Sequence, residues 1–160
     1  MKSFFALASS VALALAPCAI ANPVPPGAPV QFFTSLLDGL VFGATTGRPA
    51  PGARLVITDA GDGSPGDPTT FTLTAGTDRA PAHIRLLGGH PYQPLCVTGR
   101  VAGGPATVDR CDAGDHEQYW LVSGRRPTTV SNIRGDCITI PRGGPSVGQQ
   151  VRLVHDVTKA

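Results

Sequence analysis

Residues 95–122 read L-C-V-T-G-R-V-A-G-G-P-A-T-V-D-R-C-D-A-G-D-H-E-Q-Y-W-L-V. Leu95-Cys96-Val97-Thr98 and Ala106-Thr107-Val108 are short runs of β-formers, and Gly103-Gly104-Pro105 between them is turn chemistry. Apolar and β-branched residues bounded by Gly and Pro read as strands joined by a tight turn. After Cys111 comes a polar loop, and then a third apolar run, Tyr119-Trp120-Leu121-Val122.

The same grammar extends in both directions. Arg54-Leu55-Val56-Ile57-Thr58, Thr70-Phe71-Thr72-Leu73-Thr74 and Ala82-His83-Ile84-Arg85-Leu86 precede this stretch. Cys137-Ile138-Thr139-Ile140 and Val151-Arg152-Leu153-Val154 follow it. Short strands separated by turn clusters predict an all-β sandwich or barrel. Composition agrees: 20 Gly and 16 Pro in 160 residues argue against a helical bundle, because helix interiors exclude Pro and disfavour Gly. With 41% apolar and only 15% charged residues the chain has the means to bury a core. Phe32 to Leu37 is the one segment that suits a short helix, and a non-helical reading is preferred there. A net charge of +2 is too small to point to nucleic acid or a membrane surface as partner.

An internal repeat narrows the choice. Residues 40–60 overlay residues 136–156 without a gap: Gly47 meets Gly143, Gly52 meets Gly148, Leu55 meets Val151 and Ile57 meets Leu153. The stretch from Leu95 fits between them, with Gly103 in the place of Gly52. Copies roughly 48 residues apart suggest threefold pseudosymmetry. The competing reading is a chance likeness among hairpins that share Gly turns.

The N-terminus has its own logic. Lys2, the apolar run Phe4 to Ala16 and the small residues of Ala19-Ile20-Ala21 form a secretory signal over residues 1–21, cleaved before Asn22. Its apolar core is shorter than the ~20 residues that a membrane span needs, so no membrane contact is expected after cleavage. Residues 22–34 begin N-P-V-P-P-G-A-P-V and read as a Pro-rich linker, extended and solvated, leaving residues 35–160 as the domain. Export leaves Cys96, Cys111 and Cys137, enough for one pair and one odd thiol. No C-x-x-C occurs and no zinc site is expected.

Cys96, Cys111 and the run Gln118-Tyr119-Trp120 together resemble a repeat of the ricin B-type lectins, whose repeats carry a C…C…Q-x-W pattern. Asn132-Ile133-Arg134-Gly135-Asp136-Cys137-Ile138-Thr139-Ile140 looks like the opening of another. The resemblance covers roughly residues 35–160. It implies a β-trefoil of three pseudo-repeats that binds a glycan or glycoprotein without catalysis or cofactor. Trp120 and, one repeat earlier, Phe71 would be its large apolar core plugs. Cys96 and Cys111 would be bridged across adjacent strands. Cys137, whose aligned partner position is Asp156, would remain a lone buried thiol.

In that family a working sugar site uses an Asp two residues after the first Cys, an aromatic on the next strand and an Asn-Gln pair before the Trp. The carboxylate accepts bonds from vicinal hydroxyls and the ring covers the apolar sugar face. Here the Asp position holds Thr98 or Thr139, and the aromatic position holds Asp109, Val154 or Thr58. The pair is Glu117-Gln118. Asp109, Glu117 and Gln118 are therefore the carbohydrate-binding positions that the resemblance leaves, with the sugar sites largely eroded. Gln118 alone matches in type, and a structural hydrogen bond explains it equally well. The aromatic equivalent to Trp120 in the third copy would fall near position 165, past Ala160, so the third repeat is expected to lack its last strand. That predicts an open edge, with three readings: the N-terminal segment fills it, the domain is marginal, or the gene product is truncated.

Catalytic signatures are missing. His83, His90, His116 and His155 form no H-E-x-x-H, and there is no G-x-S-x-G. Asp109, Asp112, Asp115 and Glu117 with His116 read as a solvated loop, because the spacing is not that of a calcium loop. Arg125-Arg126 reads as a solvated turn. The alternative function, from another class, is a secreted protease inhibitor or effector presenting a trefoil loop, with Asp59 to Asp67 as candidate, to a protein partner.

Overall fold

The computed structural model describes residues 23–34, 39–45, 49–62, 66–78, 80–90, 93–124, 129–140 and 145–155, with backbone alone at 88–90. The described strands are β1 Pro29–Val30, β2 Leu40–Ala44, β3 Ala53–Asp59, β4 Phe71–Leu73, β5 Ala82–His90 and β6 Gln93–Thr98. They continue as β7 Thr107–Arg110, β8 Tyr119–Val122, β9 Val130–Asn132, β10 Asp136–Thr139 and β11 Arg152–His155. Alternation sets which side chains enter the core. In β4 Phe71 and Leu73 are buried while Thr72 is half-exposed, and in β8 Trp120 and Val122 are buried while Leu121 faces out.

Three antiparallel hairpins, β2–β3, β6–β7 and β10–β11, form one layer. Their contacts run in a ring. Gly52 N–H donates to Val108 O, Gly103 N–H to Leu153 O and Gly148 N–H to Ile57 O, each at 2.8 Å. The three glycines have φ of 85°, 78° and 83°, a region that other residues enter only at a cost. A second ring lies just inside: Leu55 N–H to Ala106 O at 2.8 Å, Ala106 N–H to Val151 O at 3.0 Å and Val151 N–H to Leu55 O at 3.0 Å. The glycine register is thus a threefold set of contacts and not a coincidence of turns.

Beneath this cap the strands β1, β4, β5, β8 and β9 lie side by side, each antiparallel to the next. Cap plus barrel is the β-trefoil arrangement. Phe71 and Trp120 are fully buried, and the Trp120 indole N–H donates to Val97 O at 2.8 Å. Gly99 lies against that ring: a Cβ there would fall 2.8 Å from the indole and 2.9 Å from Leu153. Cys96 and Cys111 are disulfide-bonded, with Cα atoms 4.9 Å apart. Cys137 is half-buried rather than buried, on β10 opposite Ser131 and Val154.

One expectation needs correction. The Pro-rich segment is extended but not a solvated linker. Val24 N–H donates to Thr77 Oγ1 at 3.0 Å, Gly27 N–H donates to Leu73 O at 2.8 Å, and Pro29-Val30 pair with β4. Phe32 packs against the core, its ring 5.8 Å from Phe71 and 6.4 Å from Phe42. A proline is tolerated in such a short edge strand because the unpaired side needs no N–H. The segment is therefore the first strand of the first repeat, and the folded domain begins before residue 35. Phe32–Thr34 is not helical either, since Phe33 bridges Val41 across the sheet; residues 35–37 lie outside the described residues. So do the expected signal, residues 1–21, and the pair Arg125-Arg126. Because β1 takes its own place beside β4, it does not fill the expected open edge. Among the described residues no strand joins β9 to β1.

Candidate functional site

The loop between β7 and β8 is built by its acidic residues. Asp112 Oδ1 accepts from Gly114 N–H at 2.8 Å. Asp115 caps the 3-10 turn His116–Gln118, accepting from Glu117 N–H at 3.0 Å, as short polar side chains do at helix starts. Gln118 is fully buried with both ends of its amide engaged: Nε2 donates to Arg110 O at 2.8 Å and Oε1 accepts from Asp112 N–H at 2.9 Å. It clasps the loop shut beside the disulfide. In this geometry its polar atoms already have partners.

Glu117 points the other way and meets Arg134 of the third repeat. Arg134 Nη1 donates to Glu117 Oε1 at 2.7 Å, and Nη2 pairs with Oε2. The same guanidinium donates to Gly99 O at 3.0 Å and Arg100 O at 2.9 Å. Asp109, half-buried on β7, lies 3.6 Å from the exposed Arg100, which also approaches Asp115 at 3.6 Å. Thr107 Oγ1 donates to Asp109 at 3.2 Å. Thr98, in the position where the family has its Asp, is fully buried, and its hydroxyl donates to Cys96 O at 3.1 Å. The structure therefore brings Asp109 and Glu117 to one rim with Asp115, Arg100 and Arg134, and sets Gln118 beneath it.

Arg134 reaches the rim because its turn is fixed. Asn132 Oδ1 accepts from the N–H groups of Arg134 and Asp136, at 3.0 and 2.9 Å. Asn132 Nδ2 donates to Asp136 Oδ2 at 3.0 Å, and His155 Nδ1 lies 3.0 Å from Asp136 Oδ1. Hydrogen bonding from Asn132, and then from His155, holds the Asp136 carboxyl below its ordinary value despite its burial. Sequence reasoning missed Arg100 and Arg134. Arg134 belongs to a different repeat from Glu117, and no local spacing connects them.

Beside the rim lies a ring cluster that sequence reasoning also missed. His83 on β5 sits opposite Tyr119 with ring centroids 4.4 Å apart, and His116 is 6.4 Å from Tyr119. Tyr119 OH donates to Ala113 O at 3.0 Å. His83 Nε2 is buried without a hydrogen-bond partner. Burial, then the nearby Arg85, pushes the His83 imidazolium below the usual histidine range. The Asp59 to Asp67 loop, of which residues 63–65 are not described, is tied down at its end. Asp67 is buried and accepts from Thr69 N–H at 2.8 Å and Thr69 Oγ1 at 2.6 Å.

No family model matches the sequence, and no curated protein matches it. Solved structures do share the fold. One is the C-half of an earthworm R-type lectin in complex with GalNAc, 16% identical, with a TM-score of 0.55 over 84% of this chain and 87% of that one. Another is ThreeFoil, a designed threefold-symmetric protein, also 16% identical, with a TM-score of 0.54 over 74% of this chain and 83% of that one. At this identity the likeness establishes the β-trefoil fold.

Proposed function

We propose that this chain is a secreted, non-catalytic glycan-binding module of ricin B type, in which the family's usual sugar contacts have been largely replaced. One observation carries the reading. The frame of a C…C…Q-x-W repeat persists in the Cys96–Cys111 bridge and the Gln118 clasp, while Arg100, Asp109, Asp115, Glu117 and Arg134 converge above it. Carboxylates there would accept from sugar hydroxyls and guanidinium groups would donate to them. The Tyr119 and His83 rings would offer the flat face that Asp109 cannot. The likeness to a lectin solved with GalNAc supports the choice of ligand class. Residues 1–21 would direct export, and the disulfide suits an oxidising compartment.

A glycan array probed with the full chain tests this. The expected result is retention of a restricted set of glycans, reduced at least tenfold by Arg100→Ala and Glu117→Ala. Retention of no glycan, together with inhibition of a protease panel, would sink the reading in favour of a protein-binding effector.

A further inference from the structure

Two guanidinium groups stand on the rim. Both side chains are exposed, so partners and not burial separate them. Arg134 has its donors committed within the chain. Nη1 donates to Glu117 Oε1 at 2.7 Å and Nη2 pairs with Oε2, the two-pronged geometry in which a guanidinium fits a carboxylate. Nη2 also donates to Gly99 O at 3.0 Å and Arg100 O at 2.9 Å, and Nε lies 3.7 Å from Oδ2 of the buried Asp136. Gly99 N–H donates to Glu117 O at 3.0 Å, so the Gly99-Arg100 backbone is tied to Glu117 directly as well as through Arg134. Arg100 is the opposite case. Its Nη2 lies 3.6 Å from Asp109 Oδ2 and 3.6 Å from Asp115 Oδ2, and among the described residues its guanidinium makes no other polar contact. Those separations exceed the roughly 2.7–3.2 Å of an N–H···O hydrogen bond. Exposed ion pairs of this kind contribute little, so a ligand that parts them gives up little.

We infer that Arg100 is the specificity-determining ligand contact of the rim, and that Arg134 is its positioning residue and does not touch the ligand. Within the glycan reading, on which this rests, the ligand is an uncharged glycan that presents two adjacent free hydroxyls. A hydroxyl both donates and accepts. One hydroxyl between Arg100 and Asp109, and its neighbour between Arg100 and Asp115, each accepts from the guanidinium and donates to a carboxylate. The two 3.6 Å separations are open to such oxygens, whereas the Arg134–Glu117 pair is already closed. Arg134 and Glu117 neutralise each other, so two carboxylates face one open guanidinium, and a carboxylated or sulfated glycan meets net repulsion. Asp136, bonded by Asn132 and His155, holds the turn from which Arg134 reaches across the repeats.

The experiment compares the full chain with Arg100→Lys, Arg134→Lys and Arg134→Gln on an array of neutral glycans, the same glycans with one of two adjacent hydroxyls methylated, and sialylated glycans. NMR of the unliganded chain supplies a second readout, the rotation rate of each guanidinium group. Rotation at Arg134 is expected to be at least tenfold slower than at Arg100. Arg134→Lys keeps the charge but cannot span Glu117 and two carbonyls. It should lower retention of every bound glycan at least tenfold and leave their order unchanged. Arg100→Lys should change the order itself and weaken the discrimination against methylated glycans. Two substitutions are made at Arg134 so that one cooperatively folded variant suffices. Equal rotation rates, full retention by Arg134→Lys, or a reordered glycan profile in the Arg134 variants overturns the positioning role. Preferential retention of sialylated glycans, or a profile indifferent to Arg100→Lys, overturns the contact role. A wild-type chain that retains no glycan overturns the glycan reading itself, whereas any of the other adverse results with wild-type retention intact overturns this assignment alone.

Discussion

The hairpin cap and the barrel beneath it are built from the same three repeats, and the described residues complete them to different degrees. Each repeat contributes one hairpin to the cap, so three hairpins complete both hydrogen-bonded rings, through Gly52, Gly103 and Gly148 and through Leu55, Ala106 and Val151. The barrel asks two strands of each repeat. The first and second repeats supply β1, β4, β5 and β8, while the third supplies β9 among the described residues. Pseudosymmetry is therefore locally satisfied where one element per repeat suffices. Where a second is required, the described residues show it for the first two repeats.

Large-to-small substitutions in the barrel give the biggest expected effects and test this contrast most directly. Trp120→Ala removes a fully buried ring and leaves Val97 O without its donor. It should lower stability by about 3–5 kcal/mol in urea unfolding. Ile84→Ala, at a fully buried position, should cost about 2–5 kcal/mol, and Ile138→Ala, half-buried on β10, clearly less. Equal costs for the two isoleucines would mean that the third repeat packs as tightly as the second.

Removing the disulfide comes next. Cys96→Ala with Cys111→Ala opens a loop with a sequence separation of 15 and should cost about 3 kcal/mol in the same assay. An unchanged midpoint would show that the Gln118 clasp alone fixes the second repeat.

The cap should respond more mildly and evenly. Gly52→Ala, Gly103→Ala and Gly148→Ala each force a side chain to positive φ, in open space where no atom lies within 4 Å of the new Cβ. Each should cost about 1–2 kcal/mol. Markedly unequal values would break the threefold equivalence of the cap.

Acid should act last and in two separate windows. The His83 pKa is lowered by burial, so its contribution is complete above the ordinary histidine pKa of about 6.5 and is lost as pH falls below it. His83→Gln should flatten the slope of melting temperature between pH 7 and pH 5. The Asp136 carboxyl is also lowered, here by hydrogen bonds from Asn132 and His155, so its contribution persists until pH falls below about 4. Asp136→Asn should remove that second loss and leave the first. A single slope common to both variants would contradict the assignment.

Much of the architecture was legible in residue order. The alternating runs that became β3 to β8, β10 and β11 are bounded by turn chemistry, and the glycine register announces the cap. Strands β1 and β9 were not legible. One is two residues long and begins with Pro29, and the other reads Val-Ser-Asn, with polar side chains that are buried only because neighbouring strands cover them. The rim was half legible. Glu117 and Asp109 stand close to the Q-x-W run, whereas Arg134 arrives from another repeat through a turn held by Asn132.

Sequence by itself determined the all-β class, the threefold period and the positions where glycine must turn the chain. These follow from local sterics and alternation, which act over a few residues. Tertiary structure decided two further things: that the Pro-rich segment is a strand, and that Gln118 faces inward. Each depends on whether a distant surface is there to pair with or pack against, and no local pattern carries that information.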